Sequence, residues 1–366
     1  MPFYLKRFSF LLLTFLLLMN VSVVSASGSE GEKEKSFDIK EMIFSHVLDS
    51  YEWHLLTVGE KHISIPLLII VKGENGWSAF SSSKLKHGHE YNGFFISPTD
   101  PYKGKIVTKN AAGQIIRPLD LSLTKNAASI LLASIFLIII LLSITSQYKK
   151  NPLRSMKGFA GAIEQLTMSV YDDIIKPSIP NDYKRFAPYL LTVFYFIFFN
   201  NMIGLIPLFP GGANVTGNIA VTFVLAMLTF IATNFFGNKE YWKEIFWPDV
   251  PVFLKTPVFP LMQFIEIIGI LTKPFALMIR LFANMLAGHM IVLVLMGLIF
   301  IFTVMMGIGV AAGVSVISVA FSIFMLLLDV LVSFIQAYVF TMLSSIFIGM
   351  ARAEHHSHKA HEVIEK

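Results

Sequence analysis

The sequence predicts an all-α polytopic membrane protein that also carries a small α+β domain near its N-terminus. The chain is 55% hydrophobic and only 14% charged, whereas soluble domains carry about 25% charged residues. Several apolar runs reach the ~20 residues that a helix needs to cross a bilayer, and basic residues gather beside these runs. We therefore expect five transmembrane helices, of which the last two form a long tilted hairpin.

The composition also excludes several classes of function. The chain has no cysteine, which excludes disulfides, thiolate metal ligands and a cysteine nucleophile. Its formal net charge of +5 does not indicate nucleic acid as a partner, because membrane orientation selects basic residues beside apolar runs. The histidines show no spacing typical of a metal site. We therefore expect neither a metal nor another cofactor.

Residues 1–26 have the three parts of a secretory signal peptide. Lys6 and Arg7 form a basic start, residues 8–19 form an apolar centre, and residues 24–26, Val-Ser-Ala, form a small-residue cleavage site. A first membrane anchor is the alternative, but the apolar centre is short for a span. Cleavage would leave the mature N-terminus outside the cytoplasm.

Residues 27–126 form the one substantial polar part, which we expect to be a periplasmic domain. Apolar residues at helical spacing predict an amphipathic helix, and apolar runs separated by Gly and Pro predict strands. The predicted helix covers residues 37–51, and the predicted strands cover residues 63–71, 77–82 and 91–97. The sequence assigns this domain no chemistry.

The membrane part begins with a charge-free run over residues 127–147, followed by Lys149 and Lys150. This basic flank predicts that the first span ends in the cytoplasm. Residues 148–187 have an apolar helical face that suits a helix in the membrane surface, a helix against a partner helix, or a short cytoplasmic helix. The remaining predicted segments are a transmembrane hairpin over residues 188–236, a cytoplasmic loop over 237–258, a long helix hairpin over 259–350 with its turn near 307–313, and a cytoplasmic His-rich tail over 351–366.

Few residues of the long hairpin can carry a charge, and these are the candidate functional residues. Arg280 is the strongest candidate, because an arginine at the centre of a membrane helix costs about 2.5–3.5 kcal/mol on insertion scales and is rarely there without a function. At 100° per residue, Glu266 and Asn284 lie on the same helix face as Arg280. His289 points roughly the opposite way.

A second polar stripe lies on the last predicted helix, where Asp329, Ser333 and Gln336 occupy positions i, i+4 and i+7. A polar stripe on each of two membrane helices is what a proton route needs. The alternative is a structural ion pair between Arg280 and Asp329, although buried pairs often add little stability because desolvation offsets attraction. Lys273 is either a supporting residue of the route or a snorkelling or capping side chain.

Residues 280–288, Arg-Leu-Phe-Ala-Asn-Met-Leu-Ala-Gly, resemble subunit a of the F-type ATP synthase, the stationary half of its proton channel. The resemblance covers roughly residues 127–366, while residues 27–126 lie outside the usual family pattern. Further matching positions are Glu266, Lys273-Pro274, Gln336-Ala337-Tyr338-Val339-Phe340 and the ending Met350-Ala351-Arg352-Ala353-Glu354-His355.

The resemblance implies a subunit that is not catalytic by itself. Arg280 would face a rotating c-ring whose small subunits each carry one membrane-embedded carboxylate, and two offset half-channels would lead protons to and from that ring. The implied outer half-channel contains His289, Asp329, Gln336 and Asn284, the inner one contains Glu266, and Lys273 and Ser333 are possible supporting residues. The implied partners are the c-ring, peripheral-stalk helices of subunit b and membrane lipid. The implied location is a bacterial inner membrane, with the N-terminal domain periplasmic and the C-terminus cytoplasmic.

One departure from the family pattern concerns the outer half-channel. Many bacterial relatives have a glutamate where this chain has His289 and a histidine where it has Asp329, so acid and imidazole are exchanged between helices. If the two side chains meet, the exchange keeps an acid–imidazole proton relay.

Two other function classes remain open. A secondary transporter with an extracytoplasmic binding domain should show internal repeats, and none is visible between the two hairpins. An intramembrane hydrolase that uses Asp329 and His289 would need a second acid or a serine nucleophile within a motif. Both alternatives leave Arg280 without a role.

Overall fold

The computed structural model describes residues 49–58, 61–73, 76–99, 101–110, 113–150, 156–206, 211–246 and 261–353. The predicted signal peptide, most of the predicted helix over residues 37–51 and nearly all of the His-rich tail lie outside the described residues. Contacts between residues divide the chain into two compact units. The described part of the first unit is residues 50–124, and the second comprises Asp49 and the described residues from 125 onwards.

The first unit is built from short antiparallel strands. They are β1 (Glu52–Val58), β2 (Lys61–Pro66), β3 (Leu68–Gly73), β4 (Gly76–Ser81), β5 (Phe94–Ile96), β6 (Ile106–Lys109), β7 (Ile115–Ile116) and β8 (Leu119–Asp120), with a 3-10 helix Ser82–Gly88 after β4. β1 pairs with β2, and two three-stranded sheets have the orders β4-β3-β8 and β5-β6-β7.

The predicted strand over residues 63–71 is two strands, because the chain leaves the ladder at Leu67. Leu67 N donates to Ser82 Oγ at 3.1 Å, and Ser82 N donates to Leu67 O at 2.9 Å. The preceding Pro66 has no N–H with which to extend a ladder. The chain therefore passes from β2 to β3, where Ile69 and Val71 face inward and are completely buried.

The core of the first unit contains a buried tyrosine. Tyr51 clusters with Ile69, Phe80 and Phe94, and its hydroxyl donates a hydrogen bond to the Asp120 carboxylate. Burial, together with this hydrogen bond, raises the pKa of Tyr51 above its ordinary value. Asp120 therefore points into the unit, although it belongs to a strand at the edge of its sheet.

The second unit is helical in the part that the structure describes. Its helices are α1 (Lys125–Lys150), α2 (Phe159–Ser169), α3 (Lys176–Ser178), α4 (Tyr183–Gly204), α5 (Ile219–Phe235), α6 (Lys239–Phe246) and α7 (Leu261–Arg352), with a π-helical turn Val170–Ile175 between α2 and α3. Four helical stretches among the described residues are long and apolar enough to cross a membrane, or five if α5 and α6, bent by 100°, form one broken span. The protein is thus mostly helical and multi-pass, and the count of five spans stays a prediction.

Helix α7 folds back on itself. Asn284 Nδ2 donates to Gln336 Oε1 at 2.7 Å, although the two residues are 52 positions apart. A straight helix would separate them by about 78 Å. The two apolar stretches Gln263–Leu295 and Gly313–Arg352, here called the first arm and the second arm, therefore lie antiparallel, and the chain reverses between them.

The segment from α2 to α3 packs into the helical core. Ile163, Val170 and Ile174 are buried in the cluster that α4 and α7 also form, whereas Phe159 is 64% exposed. The segment therefore packs against helices of the same chain, and its position relative to the membrane surface stays a prediction.

Arg352 holds three helix ends together. Its Nε donates to Asp182 Oδ2 at 2.8 Å, just before α4, and its Nη1 donates to Asn238 Oδ1 at 2.8 Å, just after α5. Asn238 returns two bonds to the end of α7, from its Nδ2 to Arg352 O at 3.0 Å and from its N to Ala351 O at 2.8 Å. The end of the second arm is therefore fixed against both helices of the preceding hairpin.

We expect Arg352→Ala to lower the free energy of unfolding by about 2 kcal/mol, because charge-assisted hydrogen bonds to Asp182 and Asn238 are lost. The measurement is the thermal unfolding midpoint of the purified protein in detergent. Lys176→Ala is the matched control, since Lys176 pairs with Asp172 at 3.7 Å between side chains that are 57% and 44% exposed, and such pairs contribute little. Equal midpoints for the two variants would contradict the assignment of Arg352 as a clamp.

Candidate functional site

Arg280 is exposed on the outward side of the first arm. Leu277, Leu281 and Met285, on another side of the same arm, are buried in the helical core. Arg280 forms no hydrogen bond or ion pair with any described residue. The alternative of a structural ion pair with Asp329 is therefore not what the structure has.

The surface around Arg280 is apolar. Ile279, next to it, and Ile291, three turns further along the same face, are 38% and 42% exposed. On the second arm, Leu331 and Ile335, in the stretch that contacts Asn284 and Gly288, are 53% and 46% exposed. A helix face of this kind belongs in lipid or against another apolar surface, and a single guanidinium within it calls for a negative partner.

The two arms meet through polar side chains. Besides the bond from Asn284 to Gln336, the carboxylate of Asp329 lies against the backbone of Gly288, where a Cβ atom would come within 2.5 Å of Asp329 Oδ1. Ser333 is completely buried between these two contacts along the second arm. Asp329, Ser333 and Gln336 therefore face the first arm, on the inner side of the hairpin.

His289 faces away from Arg280, toward the loop between α4 and α5. A Cβ atom on Gly204 would lie 3.8 Å from His289 Nε2 and 2.9 Å from Ala213 O. His289 Nε2 and Asp329 Oδ2 are both buried and lack a hydrogen-bond partner among the described residues, and the two side chains form no ion pair. A relay between them therefore needs a bridging group.

Several asparagines near the α4–α5 loop belong to the same region, although the sequence singled out none of them as a site residue. Thr216 Oγ1 donates to Asn201 Oδ1 at 2.5 Å, while Asn200 Oδ1, Asn201 Nδ2 and Asn214 Nδ2 are buried without a partner in the described part. Each such group costs about 1–3 kcal/mol if it stays dry. In the sequence, the one indication of their role is that four asparagines occur in a run without charges. Asparagines near turns usually bond to the backbone, however, as where Ala220 N donates to Asn218 Oδ1 at 3.0 Å.

Glu266 and Lys273 lie nearer the other end of the first arm. Glu266 is half-buried, and Lys273 Nζ sits 5.6 Å from the ring of Phe347. Lys273 lines a small cleft beside Asn234 and Tyr241, whose hydroxyl donates to Asn234 Oδ1 at 3.2 Å. The structure thus places Lys273 at a largely apolar cleft that Asn234 and Tyr241 also line, and it does not bring Glu266 or Lys273 into contact with Asp329 or His289.

We expect Gly288→Ala to destabilise the protein by about 1–3 kcal/mol, since the added methyl would collide with the Asp329 carboxylate. Gly269→Ala in the same arm is the matched control, because a Cβ there meets no atom within 4 Å and alanine favours helix more than glycine does. Thermal unfolding of both variants is the measurement. The double variant Gly288→Ala with Asp329→Ala should lose less stability than the two single variants lose in sum, because the collision is then absent. A loss equal to that sum would contradict the contact.

Comparisons with known proteins agree on a family. The family model described as ATP synthase A chain matches residues 127–349, and a model described as Domain of unknown function (DUF8433) matches residues 42–127. The chain is similar to ATP synthase subunit a 2 of Chlorobaculum tepidum, with 43% identity over 245 residues that cover 67% of each chain. It is similar to ATP synthase subunit a of Chlorobium phaeobacteroides, with 37% identity over 313 residues, 84% of this chain and 88% of the relative.

A relative from Myxococcus xanthus, ATP synthase subunit a, is 42% identical over 249 residues, 66% of this chain and 77% of its own. The alignment with the Chlorobium relative is longer than the part of this chain that follows residue 126. The similarity to that relative therefore includes part of the N-terminal region. The match to the first family model covers more than half of the chain and includes residues 280–288. The resemblance is confirmed, and the chain belongs to the subunit a family of ATP synthases.

Proposed function

We propose that this chain is the stationary proton-channel subunit of an F-type ATP synthase and that Arg280 faces the carboxylates of its rotating c-ring. The observation that carries the proposal is the position of Arg280, which is exposed and has no described partner on a helix face whose neighbouring exposed residues are apolar except for Asn284. A lipid environment would leave this charge uncompensated. A partner helix with a carboxylate at the same depth would compensate it and would cover the apolar residues around it.

The charge of Arg280 gives the site its chemistry. A positive charge favours the ionised form of a nearby carboxyl group. A protonated ring carboxyl that reaches Arg280 therefore releases its proton, and the ionised form passes. The same charge opposes direct proton flow between the two half-channels, so protons travel with the ring. Each proton that crosses supplies about 2.3 kcal/mol per 100 mV of membrane potential, so several crossings are needed to make one ATP.

His289 and Asp329 suit the outer half-channel. Both present a buried polar atom without a described partner, and His289 lies beside the loop that carries Asn214. Unpartnered polar groups in a buried region are normally satisfied by ordered water. Water molecules between His289 and Asp329 would bridge the gap and would carry protons toward Asn284 and the ring.

Glu266 and Lys273 suit the inner half-channel. They lie on the first arm before Arg280, and the cleft beside Lys273 also has the polar side chains of Asn234 and Tyr241. A half-channel at this end would be offset along the arm from the one that contains His289. Arg280 lies between the two groups in sequence, as a barrier between offset half-channels should.

The orientation follows from the charges. Lys149 and Lys150 end α1, so the positive-inside rule places that end in the cytoplasm and residues 27–126 on the periplasmic side of a bacterial inner membrane. The C-terminus is then cytoplasmic after five spans. The c-ring, subunit b helices and lipid are the proposed partners, and nucleotide chemistry takes place in other subunits of the complex.

The experiment compares ATP-driven acidification of inverted membrane vesicles that contain the wild type, Arg280→Ala or Leu271→Ala. We expect Arg280→Ala to assemble at wild-type levels on immunoblots and to lose acidification below detection, because a ring carboxyl would no longer release its proton at this point. Leu271→Ala changes another exposed residue of the same arm, which lies on a different helix face, and should keep near-wild-type pumping. Wild-type pumping by assembled Arg280→Ala would overturn the proposal.

A further inference from the structure

We propose that the first unit rests on the lipid headgroups through one face of its β4-β3-β8 sheet, on the side of the membrane where α1 begins. This face, here called the open sheet face, consists of Leu68, Ile70, Lys72, Trp77, Leu119 and Leu121. The inference concerns residues 50–124 and does not depend on the function proposed for the helical unit.

The register of the sheet brings these side chains to one face. Along β3, Ile69 and Val71 are completely buried, while Leu68, the first residue of the strand, is 49% exposed. Lys72 pairs with Trp77 on β4 and with Leu119 on β8. Side chains of directly paired residues lie on the same side of a sheet. The outward residues of three neighbouring strands therefore form one continuous surface.

This surface is more apolar than solvent favours. Trp77, Leu119 and Leu121 are 56%, 58% and 60% exposed. An antiparallel sheet with one face on its core usually presents polar residues on the other. Large clustered apolar side chains on such a face mark an interaction site.

The chain itself indicates what covers the open sheet face. Leu121 N donates to Ile70 O at 2.9 Å and Leu123 N donates to Leu68 O at 2.8 Å, so the sheet pairing continues past β8. α1, an apolar membrane-crossing candidate, begins at Lys125. Four residues span at most about 14 Å. The segment that contributes Leu119 and Leu121 is therefore tethered within a short distance of the bilayer surface.

The chemistry of the face also suits lipid headgroups. Among the six residues that define the open sheet face, Lys72 carries the charge. Its Nζ lies 5.8 Å from the ring of Trp77, its partner on β4. Asp120, between Leu119 and Leu121, is turned inward to Tyr51. Tryptophan is enriched at membrane interfaces, and lysine is attracted to anionic lipid. Among the described residues, the face has apolar side chains with one positive charge and no outward acid, and such a surface fits a membrane better than a charged protein partner.

The test uses spin labels, because the chain has no cysteine of its own. Trp77→Cys and Leu121→Cys label the open sheet face, and Lys103→Cys labels an exposed turn between β5 and β6. The intact complex is reconstituted into vesicles of phosphatidylethanolamine and phosphatidylglycerol. Collisions of each nitroxide with oxygen, which concentrates in the bilayer, are compared with collisions with a water-soluble nickel chelate.

We expect labels at Trp77 and Leu121 to collide more often with oxygen than with the nickel chelate, and the label at Lys103 to show the reverse. Frequent nickel collisions at both face positions would place the face in water and overturn the proposal. Rare collisions with both reagents would show a protein contact instead and would equally overturn it. If one labelled variant fails to assemble, Leu119→Cys takes its place with the same expectation.

A second measurement separates lipid contact from a local change in the label. Adding Leu119→Glu to the labelled Trp77→Cys variant should shift its collisions from oxygen toward nickel, because a carboxylate resists apolar and anionic surroundings. Ile115→Glu is the matched control, since Ile115 is a 42% exposed residue of β7 in the other three-stranded sheet. An equal shift from both changes would overturn the assignment to the open sheet face.

Discussion

The cost of a charge in an apolar environment is the constraint on which the helical unit depends. A guanidinium in a membrane costs several kcal/mol unless an opposite charge compensates it. The chain has both an arginine and an aspartate in its long hairpin, yet it does not pair them. Arg280 is exposed on the outer side of the first arm, and Asp329 is buried on the inner side of the second. This separation leaves Arg280 available to a partner.

The fold of α7 maintains that separation. The bond from Asn284 to Gln336 sets the register of the two arms, and Gly288 leaves room for the carboxylate of Asp329. A side chain at Gly288 would push the arms apart or turn Asp329 away. At the far end, Arg352 fixes the second arm against the helices that precede it. The inner side of the hairpin can then stay polar while its outer side is almost wholly apolar.

Sequence alone predicted the parts that depend on local pattern and length. The length of the apolar run predicted that α7 folds back, and seven-residue spacing predicted the stripe that Asp329, Ser333 and Gln336 form. Contacts between distant residues were not predictable in this way. Nothing near Arg352 in sequence indicates that Asp182 and Asn238 bind it, because 170 and 114 positions separate these pairs.

The same limit applies to the asparagines and to the first unit. A turn asparagine and one that faces a buried passage look alike in sequence, so Asn201 could be assigned only after its contact with Thr216 was known. The division of one predicted strand at Leu67 depends on Ser82, which is 15 positions away. The alternating pattern of β3 was readable, but the exposure of Leu119 and Leu121 depends on which strand lies beside β3.

The most direct test of the central claim is whether the face that carries Arg280 touches the ring. Ala283 and Ala287 are exposed on the first arm next to Arg280, and Met285 is buried on another side. Each is replaced by cysteine in the cysteine-free chain, and a second cysteine is placed beside the carboxylate of the ring subunit. Disulfides form only when the Cα atoms approach within about 7 Å. The predicted result is an oxidised product between the two subunits for Ala283→Cys and Ala287→Cys but not for Met285→Cys. Labelling of both alanine positions by a lipid-soluble maleimide without any such product would contradict a ring at Arg280.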